Sequence, residues 1–293
     1  MAINYVNGNF IPFDEAMVPM EDRGHQFGDG IYEAIAFFNR KMVDAAPHFT
    51  RMERSLREIR INAPMPTAEI EAACNELIKC NDYEHGGVYL QITRGVQKRD
   101  HTFAADMKSC LTMAVFGQKT PAPELVASGC KVITHPDLRW KRCDIKTINL
   151  LPNVMAKQAA TDAGAREALL VKENGEISEA SVSNAMAVIG GKIVTHQPNN
   201  EILNGVTRMT VLELARNLGY AVEERPFTLD ELLTKAEGAF LTGTTTNVLS
   251  IVSVDGKAIG NGKPTEIALR LNEAYLDYIY QQTGYRAHDL KAA

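Results

Sequence analysis

Apolar and polar residues alternate over the first positions and break at Asn7-Gly8, a dipeptide that predicts a type I′ hairpin with Phe10 and Ile11 in its second strand. Positions 21–30 are polar with three glycines and read as a loop, and the apolar run 31–38 reads as a strand. Phe49, Met52, Leu56 and Ile59 recur at helical spacing, as do Ile70, Ala73, Cys74, Leu77 and Ile78, with Pro66-Thr67 as the start of the second helix. Val88, Leu90 and Ile92 alternate with Tyr89, Gln91 and Thr93, the pattern of a half-buried strand, and 111–116 predicts another.

The run Gly117-Gln118-Lys119-Thr120-Pro121-Ala122-Pro123 is polar, carries two prolines and separates two regions of strong pattern. It predicts a small N-terminal α/β domain over 1–118, an interdomain linker over 119–125 and a larger C-terminal domain over 126–293. The second region opens with a strand over 131–134, then an Ala-rich helix over 152–163 stopped by Gly164. A strand over 168–171 turns at Asn174-Gly175, and one over 185–189 turns at Gly190-Gly191 into Ile193-Val194. A helix over 206–218 ends at Gly219, and a strand from Phe240 leads into a loop over 243–247. The strand 248–254 turns at Asp255-Gly256, and a last helix covers about 265–280. Hairpins and helices are interspersed, which predicts a mixed α/β (α+β) fold and argues against a purely parallel sheet.

Composition narrows the class. With 45% hydrophobic and 23% charged residues, the chain has the make-up of a globular protein with a sizeable core. Its net charge of -5 argues against non-specific nucleic-acid binding, which needs a basic face. No run approaches the roughly 18 apolar residues of a membrane span, and the N-terminus shows no signal-peptide pattern. The five cysteines are scattered without a C-x-x-C, so neither a disulfide framework nor a zinc site is indicated, and a reducing cytoplasm is expected.

Five places carry candidate chemistry. Lys146 lies between apolar neighbours just before a helix, where desolvation would make its amine a nucleophile or proton shuttle; taken alone, a snorkelling surface lysine is the commoner outcome. Gly205-Val206-Thr207-Arg208 opens a helix, and free N–H groups with a hydroxyl there suit an anion, although on local grounds a Gly-Thr helix start with no ligand is the commoner case. Gly243-Thr244-Thr245-Thr246-Asn247 follows a strand and offers hydroxyls and backbone N–H groups to a phosphate, although an ordinary turn reads the same. Arg99 and His101 stand two apart in a loop and can clamp a carboxylate, while a solvated charge run has the same appearance. Glu179 lies beside a strand, where most glutamates are exposed.

Their order along one chain resembles the class IV aminotransferases, the fold-type IV enzymes that use pyridoxal 5′-phosphate, and within them the D-amino acid (D-alanine) aminotransferases. The likeness runs from the Asn7-Gly8 hairpin to about Gly284. Its most specific segments are Asp22-Arg23-Gly24-His25-Gln26-Phe27-Gly28-Asp29-Gly30-Ile31-Tyr32-Glu33, Thr93-Arg94-Gly95 to His101, Asp144 to Lys157, Ile202-Leu203-Asn204-Gly205-Val206-Thr207-Arg208 and Thr244-Thr245.

The resemblance implies a pseudo-barrel in the larger domain, with one site assembled from residues before and after the linker. Lys146 matches the lysine that forms the internal aldimine and then moves the substrate Cα proton. Glu179 matches the carboxylate that pairs with the pyridine nitrogen, Arg51 the phosphate arginine, and Val206, Thr207 and Thr244 the rest of the phosphate cradle. Tyr32, Arg99 and His101 match the substrate carboxylate trap, with Thr245 beside it. In the family the trap arginine and histidine come from the neighbouring subunit, which implies a homodimer with interface sites.

The implied reaction is ping-pong exchange of an amino group between a D-amino acid and a 2-oxo acid such as pyruvate or 2-oxoglutarate. An L-branched-chain aminotransferase, an aminodeoxychorismate lyase, an (R)-amine transaminase and a non-catalytic homologue of the same fold remain alternatives. The chain departs from the family pattern at Ala180 and Val182 around Ser181, and at Gly243, where serine or glycine is commoner. Asp100 adds a negative charge between the two trap residues.

Overall fold

A computed structural model describes residues 2–117 and 120–286; residues 118 and 119, part of the expected linker region, lie outside the described residues. The chain divides into two compact units: Met1–Gln118 with Ile145–Asn149 and Ile279–Ala293, and Lys119–Asp144 with Leu150–Tyr278.

The first unit is a six-stranded antiparallel sheet backed by two helices. Its elements are β1 (Ile3–Val6), β2 (Asn9–Pro12), α1 (Arg23–Phe27), β3 (Gly30–Phe38), β4 (Lys41–Met42), α2 (Ala45–Glu58), α3 (Thr67–Lys79), β5 (His85–Thr93) and β6 (Cys110–Gly117), with a 3-10 turn over Phe13–Glu15. The sheet order is β2-β1-β6-β5-β3-β4. The predicted hairpin is present: Val6 pairs with Asn9, and both Asn7 and Gly8 take positive φ. On β3, Ile31, Ile35 and Phe37 face the core, where they join Phe49, Met52 and Leu56 of α2 and Ile70, Cys74 and Leu77 of α3. Tyr32, Ala34 and Ala36 fall on the opposite, less buried face, as the period of two requires. Glu33 breaks the apolar row, fully buried between Ile31 and Ile35.

Where the sequence predicts a loop over 21–30, α1 forms. It is a single turn capped by Asp22, whose Oδ1 accepts from Gly24 N at 2.8 Å, and closed by Gly28 at φ 65°. A Cβ on Gly24 would stand 2.3 Å from Thr93 Cγ2, so only glycine lets this turn lie against β5.

The second unit carries a ten-stranded mixed sheet. Its elements are α4 (Pro123–Ser128), β7 (Cys130–Pro136), α5 (Leu151–Asp162), β8 (Glu167–Val171), β9 (Glu176–Ala180), β10 (Asn184–Ile189), β11 (Lys192–Thr195), α6 (Val206–Asn217), β12 (Val222–Glu224), β13 (Phe227–Thr228), α7 (Leu229–Thr234), β14 (Ala236–Gly243), β15 (Asn247–Val254), β16 (Lys257–Ala258) and all but the last turn of α8 (Glu266–Thr283). The order is β12-β11-β10-β14-β15-β7-β8-β9-β13, with β16 on β15. The pairs β11/β12, β15/β7 and β7/β8 are parallel. Although β9 and β10 stand far apart in that order, Ala180 N donates to Ser183 O at 2.8 Å, so the sheet curls back on itself. Ala156 and Ala160 seat α5 on Ala168 and Leu170 of β8, where small side chains permit close approach.

Two expectations change. Residues 123–128, within the expected linker and just beyond it, form α4, started by Pro123 at its first turn. The sequence pattern assigns Lys146 to the C-terminal region, whereas 145–149 groups with the first unit. The reason is local: Ile145 is buried in the first unit's core, Tyr32 N donates to Lys146 O at 3.0 Å, and Ile148 N donates to Gly30 O at 3.1 Å.

Candidate active site

In the first unit, Lys146 is held by its backbone at the start of β3. Its Nζ lies 4.1 Å from the centroid of the Tyr32 ring, which in turn is 5.6 Å from Tyr89. Arg51, on α2, points at the buried Glu33. Arg51 Nε donates to Glu33 Oε1 at 2.8 Å and Nη2 to Oε2 at 2.7 Å, while His48 Nδ1 stands 2.7 Å from Oε2. Burial works to raise the Glu33 pKa, but Arg51 and His48 outweigh it and hold the carboxyl at about 2. Burial keeps His48 below its usual range, and the charges of Arg51 and Lys146 push the same way. Glu33 and His48 carried no local signal: one looks like an interruption of a strand, the other like a helix residue.

Arg99 and His101 lie together on an exposed loop, both against Phe27. Arg99 Cζ is 4.6 Å from the Phe27 centroid, and the His101 ring is 5.5 Å away. Neither touches Tyr32 or Lys146 among the described contacts of the chain. Asp100 is turned into its own loop, with Oδ1 accepting from Thr102 N and Oγ1, each at 2.8 Å.

In the second unit, Glu179 is 7% exposed and fully engaged. Oε1 accepts from Arg139, and Oε2 accepts from Asn184 Nδ2 at 3.0 Å and Leu203 N at 3.2 Å. Arg139 also grips Asp137 through Nε at 2.9 Å and Nη2 at 2.7 Å. Two carboxylates thus share one guanidinium. Burial pushes the Glu179 carboxyl up, Arg139 only partly opposing it, whereas Asp137 is held below the usual range because its bonds to Arg139 and Ser178 outweigh its burial.

Ser183 and Asn184, at the head of β10, join this carboxylate to the two anion-binding candidates. Asn184 Nδ2 also donates to Leu203 O at 2.8 Å, and a Cβ on Gly205 would stand 2.1 Å from Asn184 Oδ1. That packing fixes the entry into α6, which opens at Gly205 with no side-chain cap ahead of Val206 and Thr207. Ser183 Oγ lies 3.1 Å from Thr246 Oγ1 in the turn that carries Thr244 and Thr245. A Cβ at Gly243 would meet Ser183 Oγ at 3.2 Å, a physical reason for glycine there. Thr242 Oγ1, next to that turn in sequence, is buried without a hydrogen-bond partner. Arg208 is tied up elsewhere, with Nη1 on Asn204 Oδ1 at 3.1 Å and Nη2 on His196 O at 2.7 Å and on Glu224 at 2.8 Å. Glu176, His196 and Glu201 stand within metal-ligating reach of one another, but Lys172 Nζ already bridges Glu176 at 2.8 Å and Glu201 at 2.6 Å.

Residues 30–254 match the family model for amino-transferase class IV. The chain is 39% identical over 278 residues to a D-alanine aminotransferase of Bacillus licheniformis, covering 95% of this chain and 97% of that protein. It is 38% identical over 282 residues to the D-alanine aminotransferase of Staphylococcus haemolyticus, covering 96% and 99%. A solved structure of a branched-chain amino acid aminotransferase with pyridoxamine 5′-phosphate, from the source abbreviated T.th., superposes with a TM-score of 0.90 at 27% identity, over 98% of this chain and 96% of that one. The chain belongs to the class IV aminotransferases.

Proposed function

We propose that the protein transfers amino groups between D-amino acids, D-alanine among them, and 2-oxo acids such as pyruvate or 2-oxoglutarate. The observation that carries this reading is 39% identity, over nearly the whole of both chains, to a D-alanine aminotransferase.

Its cofactor is pyridoxal 5′-phosphate. The group supplies an aldehyde that condenses with amines and a ring that withdraws electrons from the attached carbon. The residues present fit it. Glu179 belongs to a buried cluster with one cation for two carboxylates, which suits a protonated ring nitrogen. The uncapped start of α6 at Val206 and Thr207, with Thr244, suits a phosphate, and the family likeness adds Arg51, whose guanidinium pairs with Glu33.

Lys146 holds the cofactor and then, at Nζ, takes the proton from the substrate α-carbon and returns it. The Tyr32 ring 4.1 Å from Nζ limits where that amine can swing. Tyr32, Arg99 and His101 orient the substrate carboxylate, with Thr245 beside it. Fixing that carboxylate on one side decides which α-hydrogen faces Lys146.

Arg99 and His101 face outward and leave Lys146 of their own chain untouched, which supports a homodimer in which each loop serves its partner. Leu151, Val154 and Met155 along one face of α5 are all more than half exposed and give such an assembly apolar surface to cover. No helix among the described residues is long and apolar enough to cross a membrane. The five cysteines are free.

The test pairs D- and L-alanine and D- and L-leucine with 2-oxoglutarate, read with the visible band of the holoenzyme. Turnover of D-alanine is expected. Turnover of L-leucine alone sinks the reading in favour of branched-chain L-amino acid exchange, which the 0.90 TM-score to the branched-chain enzyme keeps as the second candidate.

A further inference from the structure

The loop that carries Arg99 and His101 has no regular structure and lies on the surface, yet a buried charge grips it from within. Arg23, 3% exposed, opens α1. Its Nη1 donates to Asp100 O at 2.6 Å and to Thr102 O at 3.2 Å, and its Nη2 to His101 O at 3.4 Å. Three successive carbonyl oxygens, the negative ends of their peptide groups, therefore converge on one guanidinium. Nε of the same group is tied to Asp29 at 2.8 Å, and Asp29 is itself held by both Nε and Nη2 of Arg94. The fork cannot follow the loop outward without breaking that ion pair.

Phe27 is the second element of the grip. It stands one helical turn from Arg23 on α1, with Arg23 Cζ at 4.7 Å and Arg99 Cζ at 4.6 Å from its centroid. At the far end, Phe103 is pressed against Arg94 at 3.7 Å. Gln97 closes the base, donating to Thr102 O at 3.0 Å and accepting from Ala104 N at 3.1 Å.

We propose that Arg23 is a positioning residue for the substrate-carboxylate trap: through the carbonyls of Asp100, His101 and Thr102, and through the Phe27 ring, it fixes where Arg99 and His101 present their charges. The proposal rests on the reading of Arg99 and His101 as that trap. A lysine replaces Arg23 only in part, because an ammonium is a point charge without the planar fork that spans three carbonyls and a carboxylate at once. With the fork gone, three carbonyls crowd one another unpaired, and the loop relaxes by the ångström that binding geometry does not tolerate.

The experiment uses the holoenzymes of Arg23→Met, Arg23→Lys, Phe27→Leu and Arg99→Ala. Arg23→Met is expected to raise KM for D-alanine and for 2-oxoglutarate about 10- to 100-fold with kcat within about threefold of wild type. The rate at which hydroxylamine, an amine without a carboxylate, bleaches the visible band stays unchanged. Arg23→Lys recovers part of the KM, and Phe27→Leu, which spares the ion pair with Asp29, raises KM about two- to fivefold and keeps the assay informative if Arg23→Met fails to fold. A fall in kcat at constant KM, or an equal change toward hydroxylamine, overturns the proposal. So does an effect of Arg99→Ala on KM that the Arg23 and Phe27 variants do not share. If Arg99→Ala itself leaves KM unchanged, the trap reading fails and the proposal with it.

Discussion

Each unit buries a glutamate against an arginine, and the two pairs have opposite surpluses of charge. Glu33 is matched by Arg51, since His48 is held below its usual range, and Lys146, whose charge reaches His48, supplies the cationic surplus; the Glu33 carboxyl is held at about 2. Glu179 shares Arg139 with Asp137, so anions exceed cations and its carboxyl is pushed up. A buried ion pair is weak evidence for stability in itself, because desolvation consumes most of the Coulomb gain. The surplus is more informative. A cationic surplus invites an anion and an anionic surplus invites a cation.

The largest expected effect tests the cationic cluster directly. Lys146→Ala lowers D-alanine turnover about 10⁴-fold or more and abolishes the visible absorption band of the holoenzyme. Glu179→Gln removes the anionic surplus and slows turnover by about two orders of magnitude, read as kcat under saturating cofactor.

Stability then separates the two glutamates. Glu33→Gln costs about 3 kcal/mol at pH 7 by urea denaturation of the cofactor-free protein, from a carboxyl lowered from 4.5 to about 2. Because the folded pKa is depressed, the wild-type advantage is present above pH 4.5 and disappears as pH falls toward about 2. Glu179 has the opposite sign. Its raised folded pKa means stability is lost as pH rises through that value, so cofactor-free Glu179→Gln unfolds at the same or higher urea concentration than wild type at pH 7. Equal losses in both variants would erase the distinction between the clusters.

The smallest effect calibrates the others. Asp22 is buried too, but its oxygens accept from neutral donors, Gly24 N at 2.8 Å and Thr93 Oγ1 at 2.7 Å. Asp22→Ala is expected to cost about 1–2 kcal/mol in the same denaturation assay, the range of a lost helix cap.

Much of this architecture is written in local pattern. The alternation at Val88, Leu90 and Ile92 lies in β5, the stripe of Phe49, Met52 and Leu56 lies in α2, and the helix expected over 206–218 is Val206–Asn217. Two missed helices had readable starts. Pro123 occupies the first turn of α4, and Thr228 with Glu231 forms the capping box of α7. At five residues, α1 is too short to show a repeat.

The site was legible only as separate residues. Lys146 and Glu179 stand out once the family likeness orders the motifs. Arg139 lies 40 positions from Glu179, and the carbonyls that Arg23 grips lie 77 to 79 positions away, distances at which nothing in the chain announces a partner. Glu33 reads as a flaw in an apolar strand until Arg51 and His48 are brought beside it. Polar groups of the interior are chosen by the fold, and their meaning arrives with it.

The assignment of 145–149 to the first unit bears on how the protein can be made or divided. A gene cut at the junction near 118 would yield a sheet missing the backbone that Tyr32 and Gly30 hold, and missing Thr283 and Tyr285, which meet Asn39 and Phe38. The polypeptide visits its first unit three times, so that unit cannot mature as an autonomous fragment during synthesis. The backbone of Lys146 meets β3 only after residues more than a hundred positions apart have found each other, a non-local closure whose entropic cost grows slowly with loop length. Expressing the missing segments in trans, or joining them by circular permutation, is the engineering problem this threading sets.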